Sequence, residues 1–369
     1  MFKQYKLKNY KFILIALVVI LNTIGVALVG SASPGDQKKQ IIGMVSGIII
    51  MLLVSYIDYN FILRFSWLIY LGAVGLLGLV IVAGEQSKGA QRWFKIGGFQ
   101  FQPSELVKIL MILFLAYYFM RHEEKINSPR VLFGSFVLIG IPLALILAQP
   151  NLSTTIVLAL VFAAMLFAAG LSYKIVVGVL AVCVPTFFIV LTLIIQDKFP
   201  FIHSYQLGRI MGWLYPDKYP DIAYQQQNSI MAIGSGLLWG KGLGNTDPTS
   251  VKNGKFILEP QNDFIFAIVV EELGLVGAVL ILLIFALLVW RGITLSLRSK
   301  DNFGKLLGIG LTSQIGLQVI LNILVITDWL PNTGISLPFF SYGGSSLIML
   351  LAQMGLVLSV SRTANIEKQ

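Results

Sequence analysis

The sequence predicts an all-α, polytopic membrane protein: about ten transmembrane helices forming a single integral membrane domain over residues 1–369. Three observations carry that prediction. The chain of 369 residues is 56% hydrophobic and only 12% charged, whereas a soluble domain needs about a quarter of its residues charged to cover its surface. Its mean hydropathy is +0.82. Its apolar residues also gather into separate runs of about 20 residues, the length that crosses a bilayer as a helix with every backbone polar group satisfied internally. A soluble enzyme is excluded.

The first five runs extend roughly from Phe12 to Gly30, Ile41 to Ile57, Trp67 to Ala83, Leu106 to Met120 and Val131 to Ala148. The other five extend from Thr154 to Gly170, Ile175 to Ile195, Phe264 to Trp290, Leu306 to Ile326 and Phe340 to Val360. The first run follows Lys3, Lys6, Lys8 and Lys11 and continues to full span length without a clear small-residue cleavage site, so no cleavable signal is expected. Ten spans put both termini on one side. That side carries 15 Lys and Arg, against five on the short opposite connections, so the positive-inside rule expects cytoplasmic termini. The net charge of +10 is spread in small groups between apolar runs. This suits loops beside an anionic leaflet and excludes a nucleic-acid groove. The single cysteine, Cys183, excludes an intrachain disulfide and a cysteine-ligated zinc site.

Between the seventh and eighth runs lies an anomaly, the connection 196–262. A structureless loop of that length is unusual. Its amphipathic pieces, Ile210 to Tyr215 and Ser229 to Trp239, are expected as short helices in the outer membrane interface. No fixed repeat period and no inverted halves are visible.

Polar residues against an apolar background mark the candidate site, because charge at span depth costs several kcal/mol and is kept for a reason. In the segment from Gly89 to Lys108, Pro103-Ser104-Glu105 reads as a helix start, and Glu105 and Lys108 fall at i, i+3, where they can pair. That pair either locks two spans together or serves a ligand. Arg92 offers a planar donor fork suited to phosphate, or a surface cation. In Gln149 to Thr155, Asn151 or Ser153 is placed to cap the sixth span. The glycine-dense stretch from Gly234 to Asn245, with Lys241, is able to cradle a pyrophosphate on backbone amides but lacks Walker spacing. Asp263 stands at the outer mouth of an apolar helix, where partial desolvation makes a better base and where capping also favours an aspartate. Glu271 and Glu272 follow about 12 to 13.5 Å further along a continuous helix, too deep to share that site and suited to pairing inside the bundle. From Asp328 to Ser346, prolines and glycines break the chain as backbone lining a cavity requires, and Gly343 to Ser346 are also small enough for close helix contact.

Taken together and in order, GAQRWFKIGGFQFQPSE, IGSGLLWGKGLGN, EPQNDFIFAIVVEELGLVG and PNTGISLPFFSYGGSS resemble the family of RodA, FtsW and SpoVE over essentially the whole chain. The resemblance implies a peptidoglycan glycosyltransferase of the bacterial cytoplasmic membrane that polymerises lipid II on the outer face. Asp263 then corresponds to the catalytic aspartate, and Glu105 and Lys108 to the acidic and basic residues after QPS. Substrate contacts are expected from Arg92, Gln102, Ser104, Glu105, Lys108, Lys241, Ser341, Tyr342 and Ser345. By the resemblance the partners are lipid II, membrane lipid and a class B penicillin-binding protein, with no nucleic acid. The leaving diphosphate needs cations, with Arg92, Lys108 and Lys241 as candidates, and a divalent Mg2+ or Mn2+ ion is left open. Two departures stand out: QPNLSTT has Asn151 where the family usually has Asp, and Asn262 precedes Asp263 where Thr is common. Two competing functions are a lipid II flippase, which would place its polar groups near the midplane, and a non-catalytic scaffold for a penicillin-binding protein, which would tolerate loss of Asp263.

Overall fold

The structure, a computed structural model, describes residues 11–87, 90–96, 99–196 and 204–363. The chain is helical almost throughout. In order the helices are α1 (Phe12–Ala32), α2 (Pro34–Tyr56), α3 (Tyr59–Leu63), α4 (Ser66–Ala83), α5 (Pro103–Arg121), α6 (Pro129–Ala148), α7 (Leu152–Ala168) and α8 (Tyr173–Ile195). They continue with α9 (Ser204–Leu214), α10 (Pro220–Gly236), α11 (Ile265–Leu297), α12 (Asn302–Ile326) and α13 (Gly344–Thr363). Among the described residues nine helices are long and apolar enough to cross a membrane, and α7 is a shorter apolar helix. The expected ten spans correspond to these, and the protein is an all-α polytopic membrane protein.

Local chemistry starts the helices where the sequence puts it. Proline opens α2, α5, α6 and α10, where its missing N–H costs nothing. Side-chain oxygens of Ser128, Asn151 and Asp301 accept from backbone N–H groups at the starts of α6, α7 and α12. The helices then sort by what surrounds them. In α5, α12 and α13 about two thirds or more of the best apolar window is buried in protein, so they form the interior of the bundle. Most of the described side chains of α8 are exposed, as on a helix at the periphery facing lipid, and Cys183 is exposed on it. The helices α2 and α13 approach closely through small residues: a methyl on Gly47 would meet Leu351, and one on Gly355 would meet the Met51 carbonyl.

Three features differ from the sequence expectation. The segment before α5 forms an antiparallel sheet of β1 (Glu85–Ser87), β2 (Ala90–Ile96) and β3 (Phe99–Phe101), with Glu85 opposite Trp93 and Phe94 opposite Phe101. Aromatic residues, Trp93, Phe94, Phe99 and Phe101, crowd this stretch between glycines, a hairpin signal hidden by the surrounding apolar runs. The long connection carries α9 and α10, both longer than expected, and α10 packs along α11.

The third difference moves a whole segment. Gly274 has φ 70° and ψ −177°, so α11 is two helices, 265–273 and 275–297. The 275–297 part alternates lipid-exposed and buried side chains, as one wall of a bundle does, whereas nearly every residue of 264–272 is buried. The carbonyls freed at the break, on Glu271 and Glu272, accept from the N–H groups of Lys241 and Gly242, and Leu275 and Val276 donate to Leu237 and Leu238. The loop after α10 thus clasps the break. Glu271 and Glu272 are not deep on a continuous span. Glu272 accepts from Ser31, in the last turn of α1.

Candidate active site

At the end of the bundle where α1, α4, α6 and α12 finish and α2, α5, α7 and α13 begin, the polar segments meet. Asp263 lies two residues before the 265–273 helix, half-buried. Its backbone is held from outside with unusual completeness. The carbonyl of Gln261 accepts from Tyr342 N–H (2.8 Å), that of Asn262 from the Ser341 hydroxyl (2.7 Å), and that of Asp263 from Asn322 Nδ2 (2.8 Å). Three consecutive carbonyls are therefore fixed by the last loop and by α12, which sets the direction of the Asp263 side chain. Asn322 is fully buried on α12, and its amide also donates to Ile335 (2.7 Å), tying the loop to the same anchor.

The loop 327–343 is shaped to deliver these contacts. Leu337 N–H donates to Ser341 Oγ while Ser341 N–H donates back to Leu337, closing a tight turn. Phe339 takes φ 66°, a strained conformation for a bulky residue. Its carbonyl lies where any side chain on Gly25 of α1 would stand, and its ring stacks near Phe285 at 6.3 Å. Gln40 on α2 brackets the turn, donating to Ser341 O and accepting from Gly343 N–H.

Around Gly334, which has φ 76°, three side chains converge. A methyl placed on that glycine would lie 3.1 Å from Asp263 Oδ2, 3.7 Å from Arg209 Nη1 and 3.9 Å from Ser153 Oγ. Arg209, on α9, donates to Asn332 O at 2.8 Å, and Ser153 donates to the Thr333 carbonyl. A narrow cleft is lined by Glu105, Gln314, Gln318 and Gln353 from the helices and by Ser336 and Ser341 of the loop. Glu105 pairs with buried Lys108 at 3.0 Å, as the i, i+3 spacing expects.

The predicted site residues divide accordingly. Asp263, Glu105, Lys108, Ser341 and Tyr342 share this end of the bundle, and Ser104 joins them through its hydroxyl, which accepts from Asn151 Nδ2 at 3.3 Å. Asn151 is also the helix cap, as expected. Gln102 occupies the half-buried position before α5 and makes no capping bond. Ser341 spends its hydroxyl on the backbone of Leu337 and Asn262, a scaffolding role. Ser345 is buried in the first turn of α13, and its neighbour Ser346 faces the cleft. Arg92 straps the sheet to the α6–α7 turn by donating to Gln149 O (2.8 Å) and Pro150 O, in place of a snorkelling cation. Lys241 departs from expectation. Its ammonium binds Glu271 Oε1 at 2.8 Å at the far end of the 265–273 helix, and Lys252 does the same to Glu272. Both glutamates are nearly fully buried and their charge is balanced, so the glycine-dense loop builds a clasp and not an anion cradle. Among the described residues no group of three or more His, Cys, Asp or Glu side chains is placed to hold a metal ion.

Tyr342 is not a competing base. Burial, then the charge and hydrogen bond of Asp36, push its phenol above the usual tyrosine range, so it keeps its proton. Sequence reasoning missed Arg209 and Asn322. A lone asparagine in an apolar span was the available signal for the second.

Two outcomes follow from this geometry. Asn322→Leu is expected to lower kcat by about 100-fold while leaving KM within a few-fold, because it lets the Asp263 backbone drift without touching substrate. Steady-state kinetics check this, and an unchanged kcat would show the backbone anchor to be dispensable. Asp328, near the start of the loop at φ 65°, has its carboxyl raised above the ordinary range by burial, against a lowering bond from Gln227. Folding stability tied to its neutral form is fully present below the unfolded value of about 3.9 and is lost as pH rises through the raised folded value. Asp328→Asn keeps a residue that tolerates positive φ and cannot ionise. Its melting temperature is expected to match the parent at about pH 4 and exceed it by a few degrees at about pH 8. A lower value at the alkaline pH would mean the carboxylate is needed.

Comparison with known proteins adds a second line. Residues 6–366 match the FTSW_RODA_SPOVE family model, described as cell cycle protein. The chain is 34% identical over 372 residues to a probable peptidoglycan glycosyltransferase FtsW of a Geobacter species, covering 96% of this chain and 98% of the relative. It is 35% identical over 374 residues to stage V sporulation protein E of Bacillus subtilis (95% and 96% covered). With the peptidoglycan glycosyltransferase MrdB of Escherichia coli it shares 35% over 354 residues (94% and 91%). Among solved structures, one chain of a peptidoglycan synthase complex that coordinates polymerization and crosslinking superposes with a TM-score of 0.80 at 28% identity, over 97% of this chain and 99% of that one. The rod shape determining protein RodA of Thermus thermophilus superposes at 0.69 with 28% identity (96% and 98%).

Proposed function

The chain belongs to the FtsW, RodA and SpoVE family of cell cycle proteins, and from that premise we propose that it is a peptidoglycan glycosyltransferase whose base is Asp263. One observation carries the mechanism: the Asp263 carboxylate is aimed by three anchored carbonyls to a place where a cation, Arg209, and a hydroxyl, Ser153, also arrive.

Lipid II supplies both partners of the reaction. Asp263 takes the proton from the 4-hydroxyl of the acceptor GlcNAc, the oxygen attacks C1 of the donor MurNAc, and the bond from C1 to the diphosphate breaks with its electron pair. Attack opposite an α-linked leaving group gives a β-1,4 bond. General-base help of this kind contributes about 10²- to 10⁴-fold, and fixing the carboxylate in advance adds to it by avoiding reorganisation. A Mg2+ or Mn2+ ion fits as a companion of the diphosphate, whose oxygens are hard ligands, and no step here runs through it. The excess of Lys and Arg near the opposite ends of the spans supports an outward-facing mouth with cytoplasmic termini. A class B penicillin-binding protein as partner is supported by the likeness to a chain of a synthase complex.

The flippase reading draws on Glu271 and Glu272 as midplane charges. Their balance by Lys241 and Lys252, at the end of the bundle where α1 finishes, supports the transferase instead. Purified protein with its cognate transpeptidase is expected to turn labelled lipid II into glycan strands that a β-1,4-specific muramidase digests. Transbilayer movement of lipid II with no strand formed would overturn the reading.

A further inference from the structure

We propose that the cavity between α9 and α10 is the donor subsite, in which Arg209 receives the diphosphate of a polyprenyl-diphosphate sugar. The proposal rests on the glycosyl-transfer reading above and adds the residues that recognise the leaving group.

The cavity has a volume of about 350 Å³, and its lining includes Arg209, Trp213, Asp221, Tyr224, Gln225 and Asn332. Its floor forms because α9 meets α10 through glycines: a methyl on Gly212 would stand 2.7 Å from Ile222, and one on Gly208 3.2 Å away. The chemistry of the walls suits a charged sugar. Trp213 is held in place by its indole N–H, which donates to Asp328 O at 2.8 Å. With Tyr224 it offers aromatic surface for the apolar face of a sugar. Gln225 and Asp221 offer donors and acceptors for hydroxyl and amide groups. Arg209 supplies the cation. Its Nη1 holds the Asn332 carbonyl, which anchors the head, and a five-donor planar group can hold that carbonyl and a phosphate oxygen at once.

Position separates Arg209 from the two clasp lysines. Lys241 and Lys252 are matched to Glu271 and Glu272 at the other end of the 265–273 helix, and neither lines this cavity or the cleft. Arg209 lines the cavity and comes to the same point at Gly334 as the Asp263 carboxylate. The reaction asks for that pairing. As the acceptor oxygen loses its proton to Asp263 and bonds to C1, the departing oxygen gains the electron pair of the broken bond, and both events occur within a few ångströms of each other. A guanidinium beside the departing oxygen binds the more negative product state more strongly than the donor, so it speeds the chemical step. The buried helix 265–273 begins beside Asp263, and its positive end adds to the same field.

The test uses the full chain with its transpeptidase and compares the parent with Arg209→Gln, Arg209→Lys and Asp263→Asn. Polymerisation kinetics and inhibition by undecaprenyl diphosphate, the leaving group itself, are both read. Arg209→Gln is expected to lower kcat/KM by about 100-fold and raise the inhibition constant for undecaprenyl diphosphate about tenfold or more, with Arg209→Lys intermediate in both. Asp263→Asn is expected to lose turnover yet keep direct binding of undecaprenyl diphosphate. Phosphatidylglycerol in the same mixed micelles is expected to inhibit weakly and independently of residue 209. An inhibition constant unchanged in Arg209→Lys and in folded Arg209→Gln would overturn the proposal. So would phosphatidylglycerol inhibition that follows residue 209 as strongly, which would make the cavity a phospholipid headgroup site. If the parent forms no glycan, the glycosyl-transfer reading fails first; if it polymerises lipid II, the Arg209 assignment stands or falls on its own results.

Discussion

Asp263→Asn is expected to lower the rate of glycan polymerisation by about 10³-fold or more, with Asp263→Ala equally inactive. The amide has nearly the shape of the carboxylate but cannot accept a proton, so the substitution separates chemistry from packing. The surrounding anchors argue that the fold survives it: the bonds that fix residues 261–263 run to backbone carbonyls, which any residue at 263 retains. Melting temperature and co-purification with the transpeptidase should therefore match the parent. Asp263→Glu should recover only a small part of the rate, since an added methylene shifts the carboxylate by more than an ångström from where Arg209 and Ser153 meet it. Polymerisation of labelled lipid II checks all three variants. Turnover within about tenfold of the parent in Asp263→Asn would remove the residue as the base.

A comparable loss, by a different route, is expected from alanine at Gly274 or Gly240. Gly274 sits at φ 70°, ψ −177°, a region open essentially to glycine alone, and a methyl there would lie 2.3 Å from the Leu238 carbonyl oxygen. At Gly240, with φ 76°, it would lie 2.2 Å from the Glu272 carbonyl. Both obstacles are backbone, so neither can swing aside. Strain and the broken clasp together should cost at least about 3 kcal/mol. The melting temperature should drop by more than about 5 °C, and activity with it, because the clasp fixes one end of the helix whose other end carries Asp263. Gly234 is the control. Its methyl would meet nothing within 4 Å and it lies inside α10, so Gly234→Ala should be neutral or slightly stabilising. Equal behaviour of the three alanine variants would show the clasp to be unimportant.

Breaking a clasp ion pair should be costly for a related reason. The second oxygens of Glu271 and Glu272 have no hydrogen-bond partner, so each carboxylate depends on the bonds to its other oxygen. Removing Lys252 would leave a buried charge without its counter-ion.

Much of this site is legible in the amino-acid sequence. Asp263, Glu105 and Lys108 stand out because charge is rare in apolar runs and has to be explained, and the i, i+3 spacing announces the pair at 3.0 Å. Asn151 as a cap follows from its position ahead of an apolar run. Arg209 does not stand out, since a cation on an amphipathic helix is ordinary, and only the fold brings α9 against the loop at Gly334. Lys241 looks like a phosphate ligand because glycines surround it. The glycines serve instead to let two backbones touch at a helix break, which no local pattern reveals.

Sequence alone was enough for the membrane architecture and the number of apolar helices, because lipid admits few backbone solutions. At Asp263 it left a base and a helix cap equally open, and the catalytic reading came from the family resemblance. Tertiary structure was needed to break α11 at Gly274, to bring Glu272 beside the last turn of α1, to fasten the carbonyls of residues 261–263 and to bring Arg209 to Asp263. Those features depend on contacts between segments far apart in the chain. Hydropathy is a property of each segment by itself, whereas such contacts exist only once the segments pack.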